Sequence, residues 1–126
     1  MKREAGVYEY TSPGGPLVCG LYLISEPDEK IQVYFEDYFV KEESCSLGGL
    51  ISVINGWELN GQFFPGVKDH LTPKNARYTE FCAMRPLATY SMDQNVGLVE
   101  FRIPIRGHGF KIRVSFLPNP KREFFN

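Results

Sequence analysis

Three cysteines and two histidines are the side chains of this chain with the greatest capacity for metal binding or nucleophilic chemistry. Cys19, Cys45 and Cys82 form no Cys-x-x-Cys pair, and His70 and His108 lie far from them in sequence. The spacing typical of zinc ligands is therefore absent. Three cysteines can form one disulfide and leave one thiol unpaired. The odd number indicates a missing partner cysteine, an intermolecular bond, or a cytosolic protein with three reduced thiols.

The two histidines give no sign of catalysis. His70 follows Asp69 and His108 lies between two glycines, and neither accompanies a serine or cysteine nucleophile motif. We interpret both histidines as surface-loop residues and predict that the protein is not an enzyme.

Metal and nucleotide cofactors are not predicted either. Acidic residues are dense between positions 26 and 43, but they form no twelve-residue calcium loop, so we interpret them as a solvated face. The pairs Gly14-Gly15 and Gly48-Gly49 lack the Lys-Ser/Thr that follows a phosphate-binding loop, and they predict turns.

Aromatic residues crowd one predicted hairpin. Trp57, Phe63 and Phe64 flank Asn60-Gly61, a pair that favours a tight two-residue turn because both central positions need positive φ. These rings belong either to the core or to a contact surface that anchors a bound peptide.

Composition excludes several classes of protein. The 126 residues are 43% apolar and 23% charged, which is typical of a folded domain rather than a disordered chain. A net charge of −1 argues against nucleic acid as a partner, and no apolar run is long enough to span a membrane. No signal peptide follows Met1, which taken literally would keep the chain in the cytosol.

Short strands account for most of the hydrophobic pattern. The apolar run 17–24 predicts a buried strand, and Ile31, Val33 and Phe35 alternate with polar residues as in a half-buried strand. Strands are also predicted at 50–54, at 57–59 with 62–64, and at 78–83 and 87–91. The alternating segments 99–103 and 110–116 predict a hairpin joined by the turn 104–109. We therefore expect one all-β domain over residues 1–126, a sandwich or jelly roll of about eight short antiparallel strands.

Several segments together resemble the corticotropin-releasing factor-binding protein family, in its invertebrate form. The resemblance runs in order from about Cys19 to Pro118. It is carried by Leu23–Glu29, Asn55–Pro65, Asp69-His70, Arg77–Cys82, Gln94–Val96 and Gly109-Phe110.

The resemblance implies a CUB-like β-sandwich, the first of two in a secreted protein of about twice this length. Signal peptide and second domain would then be missing here, and the chain would be a fragment. It also implies a function, the capture of corticotropin-releasing-factor-like peptide hormones, or of the related diuretic hormone in an insect, with no chemistry and no cofactor.

The cysteines acquire roles through the same resemblance. It implies a disulfide between Cys45 and Cys82, and it matches Cys19 to a cysteine whose partner lies upstream of this chain. We expect a monomer, with a dimer linked through Cys19 as the alternative. We do not predict a calcium site from the resemblance, since residues 51–54 lack the aspartate of calcium-binding CUB domains and Asp93 alone does not make a site.

The function we predict is binding of a peptide hormone, with Trp57, Phe63 and Phe64 as anchors. An amphipathic helical peptide would place its apolar face in a groove. The alternative is an extracellular adhesion or matrix module that holds another protein, since a fold of this kind serves many partners.

Overall fold

Two four-stranded antiparallel sheets pack face to face in the computed structural model. It describes residues 1–59, 62–64, 77–86 and 88–120, and only the backbone of residues 59, 63 and 64. The described elements are β1 Gly6–Thr11, β2 Val18–Ile24, β3 Glu29–Phe39, α1 Glu42–Ser46, β4 Leu50–Ile54, β5 Trp57–Leu59, β6 Gln62–Phe64, β7 Tyr78–Phe81, β8 Tyr90–Ser91, β9 Val96–Arg102 and β10 Gly109–Pro118.

Strand order separates the layers. The first sheet runs β1-β10-β3-β8, the second runs β2-β9-β4-β7, and β5 and β6 form a separate two-stranded sheet. The predicted all-β sandwich is confirmed, with eight strands in its two sheets. Residues 65–76, between the predicted strands 62–64 and 78–83, lie outside the described residues.

Alternating apolar residues on facing strands build the core between the sheets. On β3, Ile31, Val33 and Phe35 are fully buried, as the period-two pattern predicts. Ile112 and Val114 of β10 lie on the same side, against Val53 and Val99 of the second sheet, in one cluster of buried residues.

The predicted hairpin of β9 and β10 is wrong. β9 pairs with β2 and β4, whereas β10 pairs with β1 and β3, so the connection at 103–108 crosses from one sheet to the other. The two strands face each other across the core, where the rings of Phe101 and Phe110 meet edge to face with centroids 5.0 Å apart. Alternation specifies which face of a strand is buried, but it does not specify which strand pairs with it.

The strand predicted at 17–24 is present as β2, but the expectation that it is buried is wrong. β2 is an edge strand that begins at Val18, and the side chains of Leu17 and Val18 are 63% and 59% exposed. Sequence reasoning missed β1 and the five-residue helix α1 as well. Both are short and carry few apolar residues, so neither produces a long periodic pattern.

Gly109 allows β1 and β10 to approach closely. A Cβ built at this position would lie 2.0 Å from the carbonyl oxygen of Tyr10, which no side chain could tolerate without movement of the backbone. The absence of a side chain therefore fixes where β10 begins.

Candidate functional site

The β5–β6 hairpin lies against the outer face of the second sheet and is held there by Trp57. The indole Nε1–H of Trp57 donates to the carbonyl oxygens of Leu23 and Gly97, both at 3.0 Å. Its ring meets Tyr22 edge to face at 5.6 Å, and the Tyr22 hydroxyl donates to the backbone oxygen of Glu58 at 3.2 Å. The half-buried Trp57 side chain therefore positions the hairpin as well as covering the sheet.

The other two predicted anchors are located by their backbone. Phe64 lies opposite Trp57, and Phe63 lies opposite Glu58, in the antiparallel register of the hairpin. The hairpin itself is confirmed. The predicted turn at Asn60-Gly61 and the side chains of both phenylalanines lie outside what the structure describes.

The hairpin covers apolar residues that a bare sheet would expose. Ile54 of β4 and Leu98 of β9 are paired neighbours on the outer face, yet both are fully buried. Tyr22 and Tyr78 flank this pair on β2 and β7. The outer face therefore carries an apolar centre between two tyrosines.

An acidic patch, defined by Glu58, Glu80 and Glu100, adjoins this covered centre. Glu80 and Glu100 both lie opposite Ser52 in the strand register, and the Ser52 hydroxyl donates to Glu80 Oε2 at 3.4 Å. Burial, and then the charge of Glu58, raises the pKa of Glu100. Burial and then all three glutamates raise the pKa of Tyr78. Three carboxylates therefore lie near one another beside the hairpin.

Replacing Glu100 with glutamine is expected to stabilise the protein at neutral pH. The pKa of Glu100 is higher in the folded protein than its ordinary value of 4.5, so folding disfavours the charged form. The contribution of protonated Glu100 to the free energy of unfolding is fully present below pH 4.5, and it is lost as the pH rises through the pKa of the folded protein. Urea unfolding at neutral pH and below pH 4.5 measures this difference.

Glu58→Gln serves as the matched control for that experiment. It removes the charge of Glu58, which is the smaller of the two causes that raise the pKa of Glu100. Its gain in stability at neutral pH should therefore be smaller than that of Glu100→Gln and in the same direction. An equal gain from Glu100→Gln at both pH values would show that ionisation of Glu100 is not responsible.

A polar network closes one end of the sandwich, around Asn55 and Asp93. The Asn55 side chain donates to Asp93 Oδ2 at 3.0 Å, and its Oδ1 accepts the Asp93 backbone N–H at 2.9 Å. The buried guanidinium of Arg77 lies close enough that Asp93 raises its pKa, against the larger lowering by burial. Gly56 follows with φ 119°, so the turn after Asn55 requires glycine. Asp93 is therefore engaged by side chains of this chain itself.

The disulfide implied by the resemblance is present at the opposite corner. Cys45 of α1 is bonded to Cys82, with Cα atoms 6.0 Å apart. The Tyr38 hydroxyl donates to the Cys82 carbonyl oxygen, and burial raises the pKa of Tyr38. Cys19 is a free, half-buried thiol on β2.

His108 is not the surface-loop residue that we expected. Its side chain is only 6% exposed, and Ser44 Oγ lies 2.9 Å from its Nδ1. The Lys41 backbone N–H donates to the same nitrogen at 3.4 Å. Ser44 is fully buried, so this Ser–His pair joins α1 to the crossover connection and is closed to a substrate. His70 lies outside the described residues.

Shallow depressions surround Phe39 at the same corner. One, of about 340 Å³, is lined by Thr11, Phe39, Gly109 and charged residues of β1, β3 and β10. Phe39 is 53% exposed, and Lys41 Nζ lies 5.1 Å from its ring centroid. This corner is a second exposed aromatic surface, distinct from the hairpin.

No group of three or more histidine, cysteine or acidic side chains is arranged to hold a metal ion within the described ranges. In the same part of the chain, no helix has the length and apolar character needed to cross a membrane.

Comparison with known proteins places these features in a family. The family model for the corticotropin-releasing factor binding protein N-terminal domain matches residues 1–117. This match begins nearer the amino terminus than the segments of the resemblance, which start at about Cys19. The chain is 34% identical over 115 residues to the corticotropin-releasing factor-binding protein of Rattus norvegicus and 33% identical over 116 residues to that of Homo sapiens. Each alignment covers 90% of this chain and 35% of the relative. The chain thus spans about a third of the length of these relatives.

Proposed function

The chain belongs to the corticotropin-releasing factor-binding protein family, and from this premise we propose that it binds a corticotropin-releasing-factor-like peptide hormone outside the cell. Membership rests on the family match over residues 1–117. This family consists of binding proteins rather than enzymes, so the proposed action is capture of the hormone and limitation of its free concentration. In an insect, the hormone would be the related diuretic hormone.

The surface that we propose for hormone contact is the β5–β6 hairpin with the acidic patch beside it. The Trp57 N–H donates to two backbone oxygens of the second sheet, which holds the hairpin in a fixed position on this surface. The carboxylates of Glu80 and Glu100 would attract basic side chains of an amphipathic peptide and orient its approach. Trp57, Phe63 and Phe64 would supply the apolar anchors.

Secretion is part of the same proposal. The Cys45–Cys82 disulfide is the kind of bond that persists in oxidising compartments and is rare in the cytosol. A disulfide located in the structure, together with family membership, supports an extracellular location.

Calorimetric titration of the chain with a corticotropin-releasing-factor-like peptide tests the proposal. We expect saturable binding, and we expect the triple variant Trp57→Ala/Phe63→Ala/Phe64→Ala to bind roughly thirtyfold more weakly, because loss of a buried anchor costs about 2 kcal/mol or more. A thermal unfolding scan must show that the variant remains folded.

Phe39→Ala is the matched control, since it removes an exposed aromatic side chain far along the sequence from the hairpin. Its affinity should equal that of the unmodified chain. Unchanged affinity in the folded triple variant would remove the hairpin as the contact surface, and loss of affinity in Phe39→Ala would move it to the Phe39 corner. An absence of binding by the unmodified chain would contradict the proposed function for this domain.

A further inference from the structure

The outer face of the second sheet carries an exposed apolar row next to the acidic patch. Val18 and Leu50 lie opposite Arg102 in the strand register, one on each side of it. The next residues along the two strands, Cys19 and Ile51, pack in the core, so the side chains of Val18 and Leu50 point outward. These two side chains are 59% and 40% exposed. We define Val18, Arg102 and Leu50 as the Arg102 row.

The cation in this row lacks a partner within the described part of the chain. The buried Nε–H of Arg102 meets no hydrogen-bond acceptor there, and no described carboxylate forms an ion pair with its guanidinium. Gly48 lies against the same group, since a Cβ built on this glycine would be 3.9 Å from Cζ of Arg102. A charge that is partly shielded from water interacts more strongly with a counter-charge than a fully solvated one does. Arg102 is therefore well placed to bind a carboxylate supplied by a partner.

The acidic patch and then the hairpin lie beside the Arg102 row. Glu100 precedes Arg102 by two residues on the same face of β9, at a distance of roughly 7 Å along the strand. Leu98, which the hairpin covers, precedes it by four residues, at roughly 13 Å. An α-helix with its side chains is roughly 10–12 Å wide, so the space between the hairpin and the far side of the row can hold one helix.

We propose that a helix of the bound peptide lies across the strands on the Arg102 row, with an acidic side chain paired to Arg102 and basic side chains directed toward Glu80 and Glu100. This inference rests on the proposed function, and it adds a cation to the surface that contacts the hormone. Charge complementarity specifies the occupant. A cation between two apolar side chains fits an acid between two apolar residues, and the neighbouring carboxylates fit basic residues along one flank of the same helix.

The register of the strands sets the spacing that the peptide needs. Val18 and Leu50 lie on the two strands that flank β9, so they are two strand spacings apart, which is roughly 10 Å. Residues seven positions apart on one face of a helix are separated by a similar distance, roughly 10.5 Å. The peptide should therefore carry apolar residues at i and i+7, with an acid at i+3 or i+4 above Arg102.

Charge reversal on both sides of the contact tests the proposal. The probe is the corticotropin-releasing-factor-like peptide of the titration above, together with variants in which each acidic residue in turn is replaced by lysine. We expect Arg102→Glu to bind the unmodified peptide about tenfold or more weakly than the unmodified chain does. One lysine variant of the peptide, changed at an acid between apolar residues at i and i+7, should recover most of that loss with Arg102→Glu.

Lys30→Glu is the matched control, because it makes the same change in net charge on β3 of the other sheet. Its affinity for the unmodified peptide should equal that of the unmodified chain. Unchanged affinity in the folded Arg102→Glu variant would overturn this inference and leave hormone binding intact. A loss that no lysine variant of the peptide recovers would also overturn it, because no acid would then lie above Arg102.

Arg102→Gln keeps the test decisive if the charge-reversed protein fails to fold. This variant should bind the unmodified peptide and its version with the critical acid changed to glutamine equally well, whereas the unmodified chain should distinguish the two peptides by about fivefold or more. Equal discrimination by both proteins would overturn the pairing with Arg102. An absence of peptide binding by the unmodified chain would contradict the proposed function itself, and this inference with it.

Leu50→Ser distinguishes the peptide from a second copy of the chain as the occupant. Loss of a partly exposed apolar contact should weaken peptide binding about threefold or more and leave the oligomeric state of the free chain unchanged. Sedimentation velocity measures that state. A dimer of the free chain that Leu50→Ser dissociates, with peptide affinity unchanged, would overturn the proposal in favour of self-association through the Arg102 row.

Discussion

Replacing Phe35 with alanine is expected to lower the free energy of unfolding by about 3–5 kcal/mol. Phe35 is fully buried at the centre of β3, and its ring contacts four other aromatic rings. The ring centroids lie 5.3–6.3 Å away, in the side chains of Tyr38, Phe81, Tyr90 and Phe110. Truncation leaves a cavity between the sheets that this rigid aromatic cluster cannot close by small movements.

Phe39→Ala is a control of the same residue type on the same strand. Phe39 is 53% exposed and points away from the core, so its truncation should cost about 1 kcal/mol or less. Urea unfolding followed by tyrosine and tryptophan fluorescence measures both variants. Similar losses of stability in the two variants would contradict the position of the core between the sheets.

Removal of the disulfide is the second large effect that we expect. Cys45 and Cys82 are separated by 37 positions, so the bond restricts a long loop in the unfolded chain. On the loop-entropy model, the variant Cys45→Ala/Cys82→Ala should be less stable by about 4 kcal/mol. Chemical denaturation under oxidising conditions, compared with the unmodified chain, measures the loss.

The thiol at position 19 provides the control. Cys19→Ser removes a cysteine that is not bonded in the structure, so its cost should be only that of a half-buried side chain, about 1 kcal/mol. Addition of a reductant should destabilise the unmodified chain but not the double variant. Equal sensitivity of both proteins to the reductant would mean that the effect does not arise from the Cys45–Cys82 bond.

The core of the fold follows from local pattern. The alternation of Ile31, Val33 and Phe35 predicts the buried face of β3, because a strand turns successive side chains to opposite sides. The same reasoning predicts the buried faces of β9 and β10. It fails on their pairing, since two strands with one apolar face can meet either side by side in a sheet or face to face across a core.

The alternation of apolar residues predicts the candidate site less well than it predicts the core. Glycines on both sides make His108 look like a loop residue, and its burial depends on Ser44, 64 positions earlier. The acidic patch joins strands that are distant in sequence, although the alternation of residues 99–103 is sufficient to direct Glu100 away from the core. The Cys45–Cys82 pairing came from the family resemblance, because three cysteines allow three pairings and no local pattern distinguishes them.

The pairing of β1 with β10 has a consequence for the order of folding during synthesis. Gly6 lies beside Val114, so β1 leaves the ribosome about a hundred residues before the strand it pairs with, and the first sheet stays incomplete until β10 follows. Contacts between such distant residues form slowly, because the loop between them must close before any bonding is gained. β2, whose sequence VCGLYLI contains no charged residue, lies at the edge of the second sheet. We therefore expect nascent chains of this domain to require chaperones until residue 118 has emerged.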